Sequence, residues 1–341
     1  MKPSRRQETN LDGRAFDLNI EKILENWETY HAVREVIANA IDEEVLTGTK
    51  PMRIYKEGET WHIQDFGRGL KYEHLTQKEN DEKLKDPRVI GKFGIGLKDA
   101  LATFDRRRVG VVLRSKHGDI RIGKSEKHGF KDLITLHAYV DPPSDPNLVG
   151  TDVILSGCRE ADIEKAKDLF LRFSGERIVE DTKDGQVLAT RKGAARIYVN
   201  GVKVAEEENF LFSYNITSIN KAIKHALNRE RTNVGRTAYT DRVKAILLAS
   251  KDRAVADALV DDLKGFESGA LHDELKWTDV SVHACRILNS AEKVVFFTPG
   301  ELVTAAGVVE KARGDGYRIV TVPDNIRDKI KGMADITGEP I

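Results

Sequence analysis

Apolar residues recur every three or four positions from about residue 19 to residue 46. Ile20, Ile23, Leu24, Trp27, Val33, Val36, Ile37, Ala40 and Ile41 mark one face of a long helix, or of two consecutive ones. Gly48 stands where a helix C-terminus wants a left-handed residue. Beyond it the period shortens to two, predicting strands over 52–55 and 60–64 joined by a hairpin turn at Lys56-Glu57-Gly58-Glu59. Residues 70–89 are dominated by charge and poor in core residues. Helical spacing resumes over 97–104. Strand-like stretches follow at 108–114, 119–123, 132–140 and 151–155. Four strands behind two or three helices predict an α+β fold, an α/β sandwich whose sheet is mostly antiparallel with helices on one face.

The second half has its own pattern. Residues 160–173 read as one helix with Ile163, Ala166, Leu169, Phe170 and Phe173 inward. The polar stretch 180–193 is a hairpin or a boundary. Residues 196–204 form a hairpin whose Asn200-Gly201 favours a type I′ turn. Helices are expected at about 219–227, 239–250 and 253–264. A strand, helix and strand over 294–298, 301–313 and 317–322 predict a terminal βαβ unit with parallel strands, at about 293–333. The expected division is a first domain over 1–190 and a second over 191–341, with residues 1–18 a polar arm or frayed terminus.

Charge adds little. Lys+Arg and Asp+Glu both number 55, so bulk attraction to nucleic acid has no support, although a local basic face stays open. No apolar run approaches the roughly 18 to 20 residues that span a bilayer. The basic start has no apolar core behind it, unlike a secretory signal. Cys158 and Cys285 have no metal-ligand spacing. A cytoplasmic protein that does not meet membranes is expected.

Three short stretches carry candidate chemistry. Glu35 and Asn39 are one helical turn apart and project from one face. A carboxamide oxygen can ligate magnesium and a carboxylate can polarise water, so the pair suits a metal–nucleotide site; it equally suits the wet face of an amphipathic helix. Asp65 ends a strand and precedes Gly67 and Gly69. A walled carboxylate there could accept a hydrogen bond from an exocyclic amine, while glycines let backbone approach a planar base; a plain turn is the other reading. Gly91, Gly94 and Gly96 precede the helix starting near Leu97, and free amides at such a start, with Lys98, make an anion cradle; the alternative is a mobile loop. The charged segment, about 70–96 with the glycines, would then be a lid.

Gly118 to Ser125 matches the Walker A pattern letter for letter. That motif needs a helix to begin at its lysine, Lys124, yet Ile120 and Ile122 alternate as in a strand, so a P-loop is not expected.

Together, in this order and spacing, the three stretches resemble the nucleotide site of the GHKL ATPases, the superfamily of gyrase B subunits, heat-shock chaperones, histidine kinases and MutL proteins. The resemblance covers roughly residues 20–156. It implies a Bergerat-type ATPase fold followed by a looser, transducer-like region. It implies that Glu35 is the general base, Asn39 the magnesium ligand, Asp42 the acidic position that follows it, and Asp65 the reader of adenine. Gly67 and Gly69 match the base-stacking turn, and Gly91, Gly94, Ile95, Gly96, Leu97 and Lys98 the phosphate-binding turn. Thr151, after Gly150, matches the threonine that supports the aspartate. Histidine kinases usually lack the glutamate, so Glu35 points to a hydrolase. The stretch 90–98 is most similar to the MORC-like and chaperone-like branches. ATP, ADP and Mg2+ are the implied ligands, with a homodimer forming on ATP binding and DNA a possible partner. A nucleotide switch without hydrolysis, or a chaperone-like client binder, remains the alternative. In the second half Arg229, Arg231 or Arg236 would sense the γ-phosphate.

Overall fold

The computed structural model describes residues 14–18, 25–76, 81–86, 88–91, 96–127, 130–189, 193–227 and 234–341. The chain forms two compact units, residues 1–169 and 170–341.

The first unit holds one seven-stranded sheet. Its strands are β1 (Arg14–Asp17), β2 (Arg53–Glu57), β3 (Thr60–Gln64), β4 (Gly110–Ser115), β5 (Gly118–Lys127), β6 (Phe130–Asp141) and β7 (Thr151–Ser156). They lie in the order β1-β6-β5-β4-β7-β3-β2, and every neighbouring pair is antiparallel. Its helices are α1 (Thr29–Thr47), α2 (Glu73–Thr76), α3 (Asp81–Lys85), α4 (Gly96–Arg107) and α5 (Glu160–Lys167). The expected mixed architecture with a large antiparallel sheet is present.

Alternation explains how the sheet meets its helices. Ile63, Val153, Leu113 and Ile120 face one another across β3, β7, β4 and β5, and all four are buried. Each such side chain contributes about 1.5 to 3 kcal/mol on burial. Helix α1 packs on α4, α5 and β3. It ends at Gly48 in the left-handed conformation, φ 63°, as its sequence predicts. The Arg107 guanidinium, at the end of α4, donates twice to the Trp27 carbonyl just before α1. These bonds fix the approach to α1 against the end of α4.

Two expectations need correction here. Residues 14–17 are not a loose arm: β1 pairs with β6 over Phe16↔Ala138 and its neighbours. Four residues are too few for periodicity to register. The helix expected over 160–173 breaks after α5. Phe170 turns extended, φ −119° and ψ 131°, and bridges to Val202. Its apolar spacing fits a helix, but its burial comes from a strand partner.

The second unit begins with α6 (Leu171–Ser174) and a five-stranded sheet of β8 (Arg177–Thr182), β9 (Gly185–Ala189), β10 (Ala195–Val199), β11 (Val202–Glu207) and β12 (Phe212–Ile216). The order is β11-β10-β12-β9-β8, with β10 and β12 parallel. The hairpin β8–β9 thus belongs to this sheet, upstream of the expected boundary at 190. At the β10–β11 turn Asn200 and Gly201 both have positive φ, 47° and 76°, as a type I′ turn requires. Helices α7 (Lys221–Ala226), α8 (Arg236–Ala249), α9 (Arg253–Leu263) and α10 (Thr278–Ala291) follow.

The terminal strands β13 (Val294–Phe297) and β14 (Arg318–Thr321) are parallel. Their connection is two helices rather than the one expected, α11 (Pro299–Thr304) and α12 (Ala306–Gly314), and α13 (Asp324–Ile330) closes the unit. Phe296, Val320 and Val322 belong to the same core as Tyr214, Ile246 and Leu288. The βαβ unit is therefore part of the second unit's core and not an appendage.

Candidate functional site

Helix α1 carries the first sequence signal and meets the other two along its length. Nearest its start, Glu35 is buried. Its Oε1 accepts from Nε and Nη2 of Arg34, at 3.1 and 2.8 Å. Its Oε2 is turned to the first residue of α4, where a Cβ on Gly96 would overlap it. The glycine is thus required by the carboxylate. The proposed base lies against the helix start expected to bind phosphate.

One turn later, Asn39 Oδ1 accepts from the Lys83 ammonium at 3.0 Å. The same ammonium is 3.1 Å from Oδ2 of Asp42. Asp42 is fully buried. Its two carboxylate oxygens accept from the amides of Ile90 and Gly91, at 2.6 and 2.8 Å. Two charge-assisted amide bonds and a cation are what such a buried charge needs. Asp42 therefore anchors the backbone at Ile90 and Gly91.

At the next position, Glu43 accepts from the backbone and guanidinium of Arg68. Arg68 also donates to Glu82 at 2.7 Å. Burial pushes the Glu43 carboxyl up, but its several bonds from Arg68 outweigh this and leave it below the usual range. A Cβ on Gly67 would overlap Cγ of Glu43. Close approach to α1 therefore explains this glycine.

Asp65 is buried at the end of β3. Its Oδ1 accepts from the amides of Gly67 and Thr151, at 2.9 and 3.3 Å, and its own amide donates to the Thr151 carbonyl. Thr151 Oγ1 accepts from the Leu70 amide at 2.9 Å. Burial raises the Asp65 carboxyl above its ordinary value despite those two amide bonds. Gly150 has φ +82°, and a Cβ there would overlap the Asp65 carbonyl oxygen. Gly69, at φ +85°, turns the chain toward segment 70–96.

Of the remaining expected site residues, Leu97 and Lys98 lie half-buried in the first turn of α4. Gly94 and Ile95 fall outside the described residues, as do Arg229 and Arg231. Arg236 donates to Asp273 at 2.6 Å and lies over the Phe210 ring, so its charge is engaged within the second unit. The Walker-like stretch is strand β5 throughout, and its Lys124 pairs with Asp105 at 3.1 Å. No helix begins at that lysine, as expected.

Sequence reasoning missed Arg34, Glu43 and Lys83. Arg34 had a signal, a cation inside the apolar run Ala32-Val33-Arg34-Glu35-Val36. Lys83 had none, being one lysine in a segment full of charge.

Comparison with known proteins adds a family. A Mycoplasma pneumoniae protein described as uncharacterized is 40% identical over 243 residues, which are 70% of this chain and 98% of that protein. The chain belongs to that protein's family. A second uncharacterized Mycoplasma pneumoniae protein is 28% identical over 162 residues, 46% of this chain and 44% of that one. The family described as the Mycoplasma pneumoniae MPN635 N-terminal domain matches residues 161–253. That stretch runs from α5 to the start of α9, beyond the residues that build the site on α1. Among the described residues no three His, Cys, Asp or Glu side chains gather as a metal cage, and no helix is long and apolar enough to cross a membrane.

Proposed function

We propose that this family member is a Mg2+-dependent ATPase of the GHKL type, with a Bergerat-type first unit and a transducer-like second one. One observation carries the reading: two stretches far apart in sequence both meet the helix that bears Glu35 and Asn39, the one at Gly91 and Gly96 through Asp42 and Glu35, and the one at Gly67 through Glu43.

In this reading Asp65, oriented by Gly67 and Thr151, accepts from the exocyclic amine of adenine. Thr151 holds that carboxylate and the start of the segment over it. The residues fit a cation, because Asn39 Oδ1 already faces one, the Lys83 ammonium. Mg2+ at Asn39 would neutralise charge on the phosphates. Amides at the start of α4, with Lys98, hold the phosphate oxygens. Glu35 takes a proton from the attacking water through Oε2, since Arg34 holds Oε1. Nucleotide closes segment 70–96 and brings two chains together. DNA handling is the proposed setting, with the compartment cytoplasmic.

Glu35→Ala should lower phosphate release by about 10²- to 10⁴-fold, the range for a positioned general base, with ATP still bound. Unchanged turnover would remove the assignment. The hold of Arg34 on Glu35 favours one second reading, a nucleotide-dependent switch that does not hydrolyse. Its mark would be saturable ATP binding without steady-state phosphate release.

A further inference from the structure

The Lys83 ammonium stands where a metal ion would meet Asn39. It is 3.0 Å from Oδ1 of Asn39 and 3.1 Å from Oδ2 of Asp42, with its side chain only 16% exposed. Resting on the nucleotide reading above, we propose that Lys83 is a built-in counter-cation that straps α3 to α1 and competes with a divalent ion for Asn39.

Mg2+ binds oxygen at about 2.0–2.1 Å and tolerates little distortion. An ammonium 3.0 Å from the same oxygen would stand within about 5 Å of that ion. Like charges so close, next to a buried carboxylate and shielded by little water, repel strongly. One cation must leave as the other arrives.

The exchange has a mechanical consequence. Among the described residues, α3 reaches α1 through Lys83, on Asn39 and Asp42, and through Glu82 on Arg68, which is itself bound to Glu43. The second is exposed at both Arg68 and Glu82, so water screens it and it holds weakly. Expelling Lys83 therefore removes the more buried of these ties and loosens α3, while Asp42 keeps the amides of Ile90 and Gly91. Metal entry and release of the strap are then one equilibrium, and the coupling is reciprocal: whatever loosens the strap strengthens cation binding by the same factor. An ordinary ion pair between α1 and α3 lacks this property. Losing it would cost stability and leave cation affinity where it was.

The probe is Mn2+ alone, titrated into the full nucleotide-free chain and followed by the paramagnetic resonance signal of the free ion. Lys83→Met should bind Mn2+ at least about tenfold more tightly than the native chain, the scale of removing one close like charge. Adding Asn39→Ala to that variant should abolish the gain, and Lys83→Arg, which keeps the charge, should behave as the native chain does. Amide exchange over residues 81–91 should quicken in Lys83→Met and, at saturating Mn2+, in the native chain. Equal or weaker Mn2+ binding by a folded Lys83→Met overturns the competition. So does a gain that survives Asn39→Ala. Failure of ATP to bind any of these chains would remove the nucleotide reading and leave the Mn2+ result to decide this one.

Discussion

Glu35 and Gly96 are packed so closely that a single methyl group on the glycine would overlap Oε2 of the carboxylate. Helix α1 thus delivers an acid to the first residue of α4. Gly96→Ala should push the carboxylate away without removing it. Phosphate release should fall by about 10- to 100-fold, since displacing a reacting group by an ångström costs on that order. ATP affinity should change much less. Turnover equal to that of the native chain would mean that Glu35 Oε2 is not at the reacting centre.

Arg34 supplies the other half of that geometry. It is almost wholly buried, shares Oε1 of Glu35 through two nitrogens and lies over the Trp27 ring. Arg34→Ala would leave the Glu35 charge buried and unpaired, which costs about 3–5 kcal/mol. Chemical denaturation should show the loss, and Arg34→Ala combined with Glu35→Ala should recover part of it, because the two effects are not additive. A double variant as unstable as the sum of the single ones would show that the pair is not coupled.

Asp65 gives a pH dependence with a definite sign. Burial raises its carboxyl above 3.8 in the folded chain, so the folded state holds its proton to higher pH than the unfolded one. The associated stability is complete below 3.8 and is lost as pH rises through the folded value. In Asp65→Asn that dependence disappears, and an amide oxygen can still accept from Gly67 and Thr151. The unfolding free energy of the variant relative to the native chain should therefore increase as pH rises from acid toward neutral. Parallel curves across that range would place the carboxyl in water.

Lys124 tests the competing phosphate motif. Its side chain is largely exposed and paired with Asp105 on the surface. Lys124→Ala should leave ATP affinity unaltered and change stability by no more than about 1 kcal/mol. A large loss of ATP binding would restore the P-loop reading.

Much of this was legible in the chain. Helix α1 and its Gly48 stop follow from three-and-four spacing, the hairpin β10–β11 from Asn200-Gly201, and the parallel pair β13–β14 from short links around helical pattern. What stayed hidden has physical causes. Strand β1 is too short to show a period. Phe170 has helical spacing but gains its burial from Val202 in another strand, a contact no local pattern encodes. In the site, the order of the three stretches resembled a nucleotide site, but the packing of Gly67, Gly91 and Gly96 on the helix that bears Glu35 and Asp42 was not read from it. Nor were their immediate partners. Charge patterning assigns Lys83 to solvent, whereas it is held by the buried Asp42; Arg34, set in an apolar run, is held by the buried Glu35 beside it. The glycines also have a second explanation: Gly67 and Gly96 are small because Glu43 and Glu35 fill the space a side chain would take.

The central claim is that a purine nucleotide is held between Asp65 and the turn that opens α4. Calorimetric titration of ATP with Mg2+ into the native chain and into Asp65→Asn addresses it without requiring turnover. The native chain should bind ATP saturably and in preference to GTP, and the variant should lose about 1–3 kcal/mol of that binding, the cost of a compromised buried hydrogen bond. No heat of binding with either nucleotide, or equal affinity in the two chains, would contradict it.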